Sequence, residues 1–207
     1  MQAATRGDGA TGDLITAQVL ASGAVPERVP CAGDFEVRGE LYLPRPAFEA
    51  LNRRLVAEGG QALVNPRNGC AGLMKRKDPA DLAGVGVAAF LYHLAWAEGV
   101  AVPAGQHDRL GWLRGLGLPV HPESRRVRGV LAAYQRCREA AALRGRLDHD
   151  LDGMVLKYDD TAAYDALGAT GHHPRWGIAY KFPPERRATV LRAVTVQVGR
   201  ASCRERV

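Results

Sequence analysis

Two lysines carry the strongest chemical signal in the sequence. Lys157 closes the run Asp152-Gly153-Met154-Val155-Leu156-Lys157, and Lys181 stands near the end of Trp176-Gly177-Ile178-Ala179-Tyr180-Lys181-Phe182. Both runs are short, mostly apolar and rich in β-branched or aromatic residues, which predicts strands. With a period of two, Gly177, Ala179 and Lys181 share one face, and Trp176, Ile178, Tyr180 and Phe182 share the other, which is expected to pack into a core. Gly153, Val155 and Lys157 line one face of the first strand in the same way. Small residues leading to an ammonium group leave open space beside a positive charge, as a site for an anionic ligand requires. A lone lysine at a strand end is usually just solvated. Two in matching positions, in a chain with four lysines against 24 arginines, point to a place where a compact point charge is needed.

Other candidates are weaker one by one. The loop Thr5-Arg6-Gly7-Asp8-Gly9-Ala10-Thr11-Gly12-Asp13 combines three glycines, which permit close backbone approach, with the charges of Arg6 and Asp8. In residues 35–43 the alternation is clean. Glu36, Arg38, Glu40 and Tyr42 form one face, either a solvated surface or a cleft where Glu40 accepts hydrogen bonds from sugar hydroxyls. Asn65-Pro66-Arg67-Asn68 begins a stretch of small residues ending in Lys75, Arg76 and Lys77, with Arg67 placed where phosphates approach a helix start. His93 reads as a core or edge histidine, and His172-His173 as loop, because adjacent histidines on extended chain diverge. Cys31, Cys70, Cys137 and Cys203 are isolated, so no zinc site or disulfide framework is expected, and a reducing cytoplasm is the default.

The elements that must position these residues follow from periodicity. A short helix or strand is expected over residues 14–20 and a linker between Pro26 and Pro30. Helices are predicted over 47–58, from Asn65-Pro66 onward, over 107–115 and over 127–147. The last should present Arg136, Arg138, Arg144 and Arg146 to solvent. A buried strand is predicted over 86–96, with Phe90, Tyr92, Leu94 and Trp96 opposite Val87, Ala89, Leu91, His93 and Ala95. A small helix over 161–167 separates the two lysine strands, and a last strand is expected over 188–198. At 207 residues and 46% hydrophobic content the chain can build one real core. Its net charge of +6 and pI near 9.4 favour a polyanionic partner. No apolar run approaches the roughly 18 residues of a membrane span, and the first residues lack the apolar core of a signal peptide.

Together these stretches resemble the adenylation (nucleotidyltransferase) domain of bacterial NAD+-dependent DNA ligases. The matching blocks are Thr5-Arg6-Gly7-Asp8-Gly9, Glu36-Val37-Arg38-Gly39-Glu40, Asn65-Pro66-Arg67-Asn68 with Ala71-Gly72, Asp152-Gly153 with Lys157, and Pro174-Arg175-Trp176 with Tyr180-Lys181-Phe182-Pro183. The resemblance implies an α+β fold whose antiparallel sheets line a nucleotide cleft, with helices outside. It also implies a three-step reaction. A lysine attacks the adenylyl phosphorus of NAD+ and expels nicotinamide mononucleotide; AMP passes to the 5′-phosphate of a nick in double-stranded DNA; the 3′-hydroxyl then displaces AMP. Such chemistry serves DNA replication and repair and asks mainly for positioning and charge neutralisation. On this pattern Lys157 and Lys181 hold the AMP phosphate, Glu40 binds the ribose and Arg6 lies beside the nucleotide. Arg67 and Lys75 contact phosphates near the nick. Mg2+ is implied, zinc only in a later module, and a cytoplasmic monomer is expected. The other readings are a non-catalytic nucleic-acid-binding remnant and an RNA ligase or capping-type nucleotidyltransferase; the block 65–78 argues against the latter.

The sequence also departs from the family pattern. Lys75 stands where the family usually has Arg, keeping charge without bidentate geometry. Asp13-Leu14 replaces a usual Glu-Asp pair. The family's nucleophile belongs to a Lys-x-Asp-Gly motif upstream of the Arg6 loop, and Lys157-Tyr158-Asp159-Asp160 imitates it without the glycine. Residues 1–196 are therefore expected to form a partial adenylation domain of marginal stability that cannot adenylate itself. Residues 197–200, Gln197-Val198-Gly199-Arg200, are expected to lead into an OB-fold. Residues 201–207 resemble translated sequencing adapter and are expected to be non-native.

Overall fold

The alternating residues around Glu40 form β1 (Asp34–Tyr42), which runs antiparallel to the longer β2 (Ala88–Glu98). The ladder is broken twice, between Glu36 and Val37 and between Arg38 and Gly39. At those breaks Val37 pairs with Leu94 after Glu36 pairs with Trp96, and Gly39 pairs with Leu91 after Arg38 pairs with His93. Ala95 and Tyr92 are thus the extra residues of two β-bulges. The bulges correct the strict alternation expected of this strand. Leu91 and Leu94 both face the core, while His93 shares the Arg38 and Glu40 face with Phe90 and Trp96. They also leave the strand half-buried and not buried throughout. Gly39 is required at the second bulge, because a Cβ there would lie 2.6 Å from Leu91 Cδ2 and 2.7 Å from the Phe90 carbonyl oxygen.

This computed structural model describes residues 1–171, 173–184 and 188–194. The early chain is helical: α1 (Thr16–Ser22), α2 (Arg45–Ala57) and α3 (Pro66–Met74). Proline in the first turn opens α2, and at α3 the Asn65 side chain also accepts the Asn68 N–H at 2.8 Å, satisfying one orphan donor. Their apolar faces close on Leu43, Leu51, Leu73, Met74, Leu82 and Val87, with a 3-10 turn (Pro79–Leu82) plugging the end. A second core joins Leu91 and Leu94 of β2 to Leu110 and Leu113 of α4 (Gln106–Gly115) and to Leu118.

α5 spans only Val130–Ala142, shorter than expected, and the chain then turns through Gly145 at φ 90°. Arg136 does not belong to a solvated face: it donates to the Glu123 carboxylate at 2.7 Å and its side chain is only 17% exposed. Arg144 lies beyond the helix and donates to the Pro183 carbonyl at 3.0 Å. The lysine strands are β3 (Gly153–Lys157) and β4 (Gly177–Lys181), an antiparallel pair separated by a 3-10 turn and the short α6 (Tyr164–Leu167). The fold is therefore mixed helix and strand, with two small antiparallel sheets. The last strand expected over 188–198 is not found in its described part: residues 188–194 are exposed and without regular structure. Residues 195–207, including the expected OB-fold entry and tail, lie outside the described residues, as does His172. No helix among the described residues is long and apolar enough to cross a membrane.

Candidate functional site

The register of β3 and β4 settles which side chains meet. Gly153 pairs with Lys181, Val155 with Ala179 and Lys157 with Gly177, so both lysines rise from the same face, one at each end. Their roots are four residues apart along the ladder, roughly 13 Å. Between them lie only Gly153, Val155, Gly177 and Ala179, and Val155 and Ala179 are exposed. The open face expected from residue size is present. The opposite face is less covered than expected: Phe182 is buried and Tyr180 packs edge-on to Tyr134 of α5 at 5.9 Å, but Ile178 is 66% exposed. Trp176 leaves the alternation, lying parallel to Tyr164 at 4.1 Å and stacking on His93 at 5.0 Å.

At one end of this face Lys181 Nζ donates to Asp152 Oδ2 at 2.8 Å. That bond holds the Asp152 carboxyl below the usual carboxylate range, and the charge of Arg67 acts in the same direction. Arg67, at the head of α3, thus belongs to the Lys181 end of the site. Gly153 makes the arrangement possible, since a Cβ there would meet the Tyr180 carbonyl oxygen at 2.4 Å and Lys181 Cδ at 3.2 Å.

At the other end Lys157 Nζ donates to the Tyr92 carbonyl at 2.5 Å and sits over the Tyr92 ring, 5.0 Å from its centroid. Tyr92 is the bulged residue, so its carbonyl is free of the regular ladder; it also accepts from Gln106 Nε2 at 3.0 Å. Burial among these groups pushes the Lys157 amine down to about 8. His93 is pushed down to about 4, by burial first and by Lys157 next, so it is neutral at pH 7 and serves as a stacking ring.

Glu40 faces this same region from β1. The Tyr92 phenol is pushed up by burial and then by the Glu40 charge, while Arg38 and Arg6 pull it back. The Glu40 charge also acts on Cys70 of α3, whose thiol is pushed up to about 11, mainly by burial. Arg6 is presented by a loop that Asp8 ties together: Oδ1 accepts the Ala10 N–H at 2.9 Å and the Thr11 N–H at 2.7 Å. Arg6, Glu40 and Lys157 therefore gather around Tyr92, and Arg67 and Lys181 around Asp152. Lys75 does not join them. It caps the far end of the nine-residue α3, about 12 Å from Arg67, exposed beside Lys77.

Sequence reasoning missed Tyr92 and the role of Asp152 as the partner of Lys181. The Tyr92 bulge has one faint sign in the sequence, the glycine at 39 that faces it. The Asp152 contact depends on strand pairing that no local pattern gives. The described residues contain no group of three or more His, Cys, Asp or Glu able to hold a metal ion.

The sequence profile described as NAD-dependent DNA ligase adenylation domain matches residues 1–185. Among curated relatives, a DNA ligase 1 of Deinococcus deserti is 42% identical over 199 residues, covering 96% of this chain and 29% of that protein. The DNA ligase of Chloroflexus aggregans is 41% identical, covering 97% of this chain and 31% of its own length. That of Xanthomonas axonopodis pv. citri is also 41% identical, with 97% and 24% covered. The chain thus spans less than a third of the length of these relatives. With its lysine face, its Glu40 strand and a profile match over residues 1–185, this chain belongs to the NAD-dependent DNA ligase adenylation domain family.

Proposed function

We propose that these residues are the nucleotide-holding part of an NAD+-dependent DNA ligase that moves AMP from NAD+ to a lysine, then to the 5′-phosphate of nicked DNA. The observation that carries this reading is the open lysine face, with Arg67 at its Lys181 end and Glu40 and Arg6 at its Lys157 end. A mononucleotide laid along the face meets Lys181 and Arg67 at its phosphate. It meets Lys157, whose amine is anchored on the Tyr92 carbonyl, further along, while Glu40 accepts from ribose hydroxyls. Lys181 and Arg67 neutralise the phosphate as the leaving group departs, and the charge of Lys157 adds to the field along the face, which is what phosphoryl transfer asks of a protein. Nicotinamide mononucleotide leaves in the first step and AMP in the last.

The attacking lysine is not among these residues, because no Lys-x-Asp-Gly occurs in them. Magnesium does not fit as a protein-caged ion here: Asp152 is taken by Lys181 and no set of three donors exists among the described residues. Arg67, exposed Lys75 and Lys77 lie along α3 and its end, a track for the DNA backbone near the nick.

AMP binding by titration calorimetry tests the reading. Lys157→Ala and Lys181→Ala should each weaken AMP by about tenfold or more, as loss of a charge-assisted bond does. Affinity should fall as pH rises past about 8, where Lys157 gives up its proton. Unchanged affinity in both variants would refute the site. The unmodified chain incubated with NAD+ and Mg2+ should gain no mass of AMP.

A further inference from the structure

Outside the lysine face, two histidines meet in a way that the reaction does not use. His121 follows α4, and His149 lies in the loop between α5 and β3. Their Nε2 atoms are 3.3 Å apart. His149 Nδ1 lies 2.7 Å from Asp148 Oδ1, and His121 Nδ1 accepts the Glu123 N–H at 3.2 Å. Both rings pack in an aromatic box, His121 on Phe90 at 5.4 Å and His149 on Tyr42 at 5.1 Å. The His149 side chain is only 12% exposed.

The bonds fix the tautomers. A carboxylate only accepts, so His149 Nδ1 carries its proton and Nε2 has the lone pair. His121 Nδ1 accepts an amide, so its proton is on Nε2. The two rings are complementary, His121 Nε2–H donating to His149 Nε2. The Nε2 separation would also suit a tetrahedral metal, but His121 Nε2 has no lone pair to give while Nδ1 accepts the Glu123 amide, so a metal is not what the pair is built for.

We propose that His121, His149 and Asp148 form a proton-sensitive clip that positions the loop carrying Asp152, and through it Lys181. His149 is three residues before Asp152, whose carboxylate holds Lys181 and whose carbonyl accepts the Phe182 N–H at 2.9 Å. The same loop is pinned to α2, where Arg45 N–H donates to the Asp148 carbonyl at 2.6 Å and the guanidinium meets Asp150 at 3.1 Å. One added proton spoils the chain of bonds wherever it lands. On His149 Nε2 it sets two N–H groups face to face; on His121 Nδ1 it opposes the Glu123 amide.

The charged neighbours pull both ways. Asp148 and Glu123 favour a cation, Glu123 being itself paired with Arg136 of α5, while Arg45 of α2 opposes one; Phe90 of β2 packs as a neutral ring, as does Tyr42 of β1, whose phenol is pushed up by burial and by Asp148. For His121, burial outweighs the carboxylates, and with His149 it keeps the ring below the ordinary 6.5. The unfolded chain then binds this proton more readily than the folded one. The clip's stabilisation is complete above about pH 6.5 and is lost as pH falls below it.

The test compares the chain with His149→Phe and His121→Phe, which keep the aromatic packing. Amide exchange over residues 148–153 and at Phe182 is followed between about pH 7.5 and 5.5, corrected for intrinsic rates. In the unmodified chain protection should fall about tenfold on acidification; in either variant it should be flat across that range. An equal pH response in the variants overturns the proposal. So does a nitrogen spectrum of the unmodified chain placing the neutral His149 proton on Nε2, a measurement that decides the matter even if neither variant folds. The consequence for AMP rests on the nucleotide reading above. AMP affinity should weaken over the same range only in the unmodified chain. If AMP never binds while the exchange switch is intact, the nucleotide reading fails and the clip stands.

Discussion

The two sheets of this molecule are built on opposite terms. β1 and β2 are long, and one face of each is sealed by helices: Leu94 and Leu113 are 2% and 0% exposed. β3 and β4 are five residues each, and Val155 and Ile178, on opposite faces, are 62% and 66% exposed. The first sheet is held by area removed from water. The second is held largely by polar ties to its neighbours: Lys157 to the Tyr92 carbonyl, Gln106 N–H to the Asp159 carbonyl at 2.7 Å, Arg45 N–H to the Asp148 carbonyl. Hydrogen bonds specify position but contribute little net stability each, about 1 kcal/mol. The lysine sheet is therefore placed with care and held weakly.

The largest expected effect separates the two regions. Leu113→Ala should cost about 2–5 kcal/mol, measured by chemical denaturation, whereas Val155→Ala should stay within about 0.5 kcal/mol. Similar losses at the two positions would erase the distinction. Gly153→Ala comes next. Its new Cβ must push the Tyr180 carbonyl away, so it should cost about 1–3 kcal/mol and loosen β3 from β4, visible as faster amide exchange in both strands while α4 stays protected. Asp152→Asn should be smallest in stability. An exposed pair contributes about 0–1 kcal/mol, so denaturation midpoints should barely move, although Lys181 loses the partner that aims it.

Local signals made much of this arrangement legible. Size alternation put each lysine on the small-residue face of its own strand; the antiparallel register, which no local pattern gives, brings the two faces together. Asn65-Pro66 marked the start of α3, because capping is a local interaction. Beyond the glycine at 39 the two bulges were not legible, since an extra residue in a strand leaves no periodic trace once the partner strand is unknown. Helix α5 was overextended because arginines suit a helix as well as the loop after it, and only Gly145 marks the turn. Arg136 was misread for a related reason: the pattern gives a face, and a carboxylate from a distant loop decides whether that face is solvated. The His121–His149 meeting joins residues 28 positions apart and had no local signature.

The bulge at Tyr92 sets a conflict between a tidy sheet and an anchored lysine. Deleting that one residue would let Leu91 and His93 follow each other in unbroken pairing with Gly39 and Arg38, keeping every core side chain inward. The ladder would gain regularity, and the amine of Lys157 would lose its anchor. Length variation here would thus trade a regular ladder against the carbonyl that ties both Lys157 and the buried Gln106 to this strand.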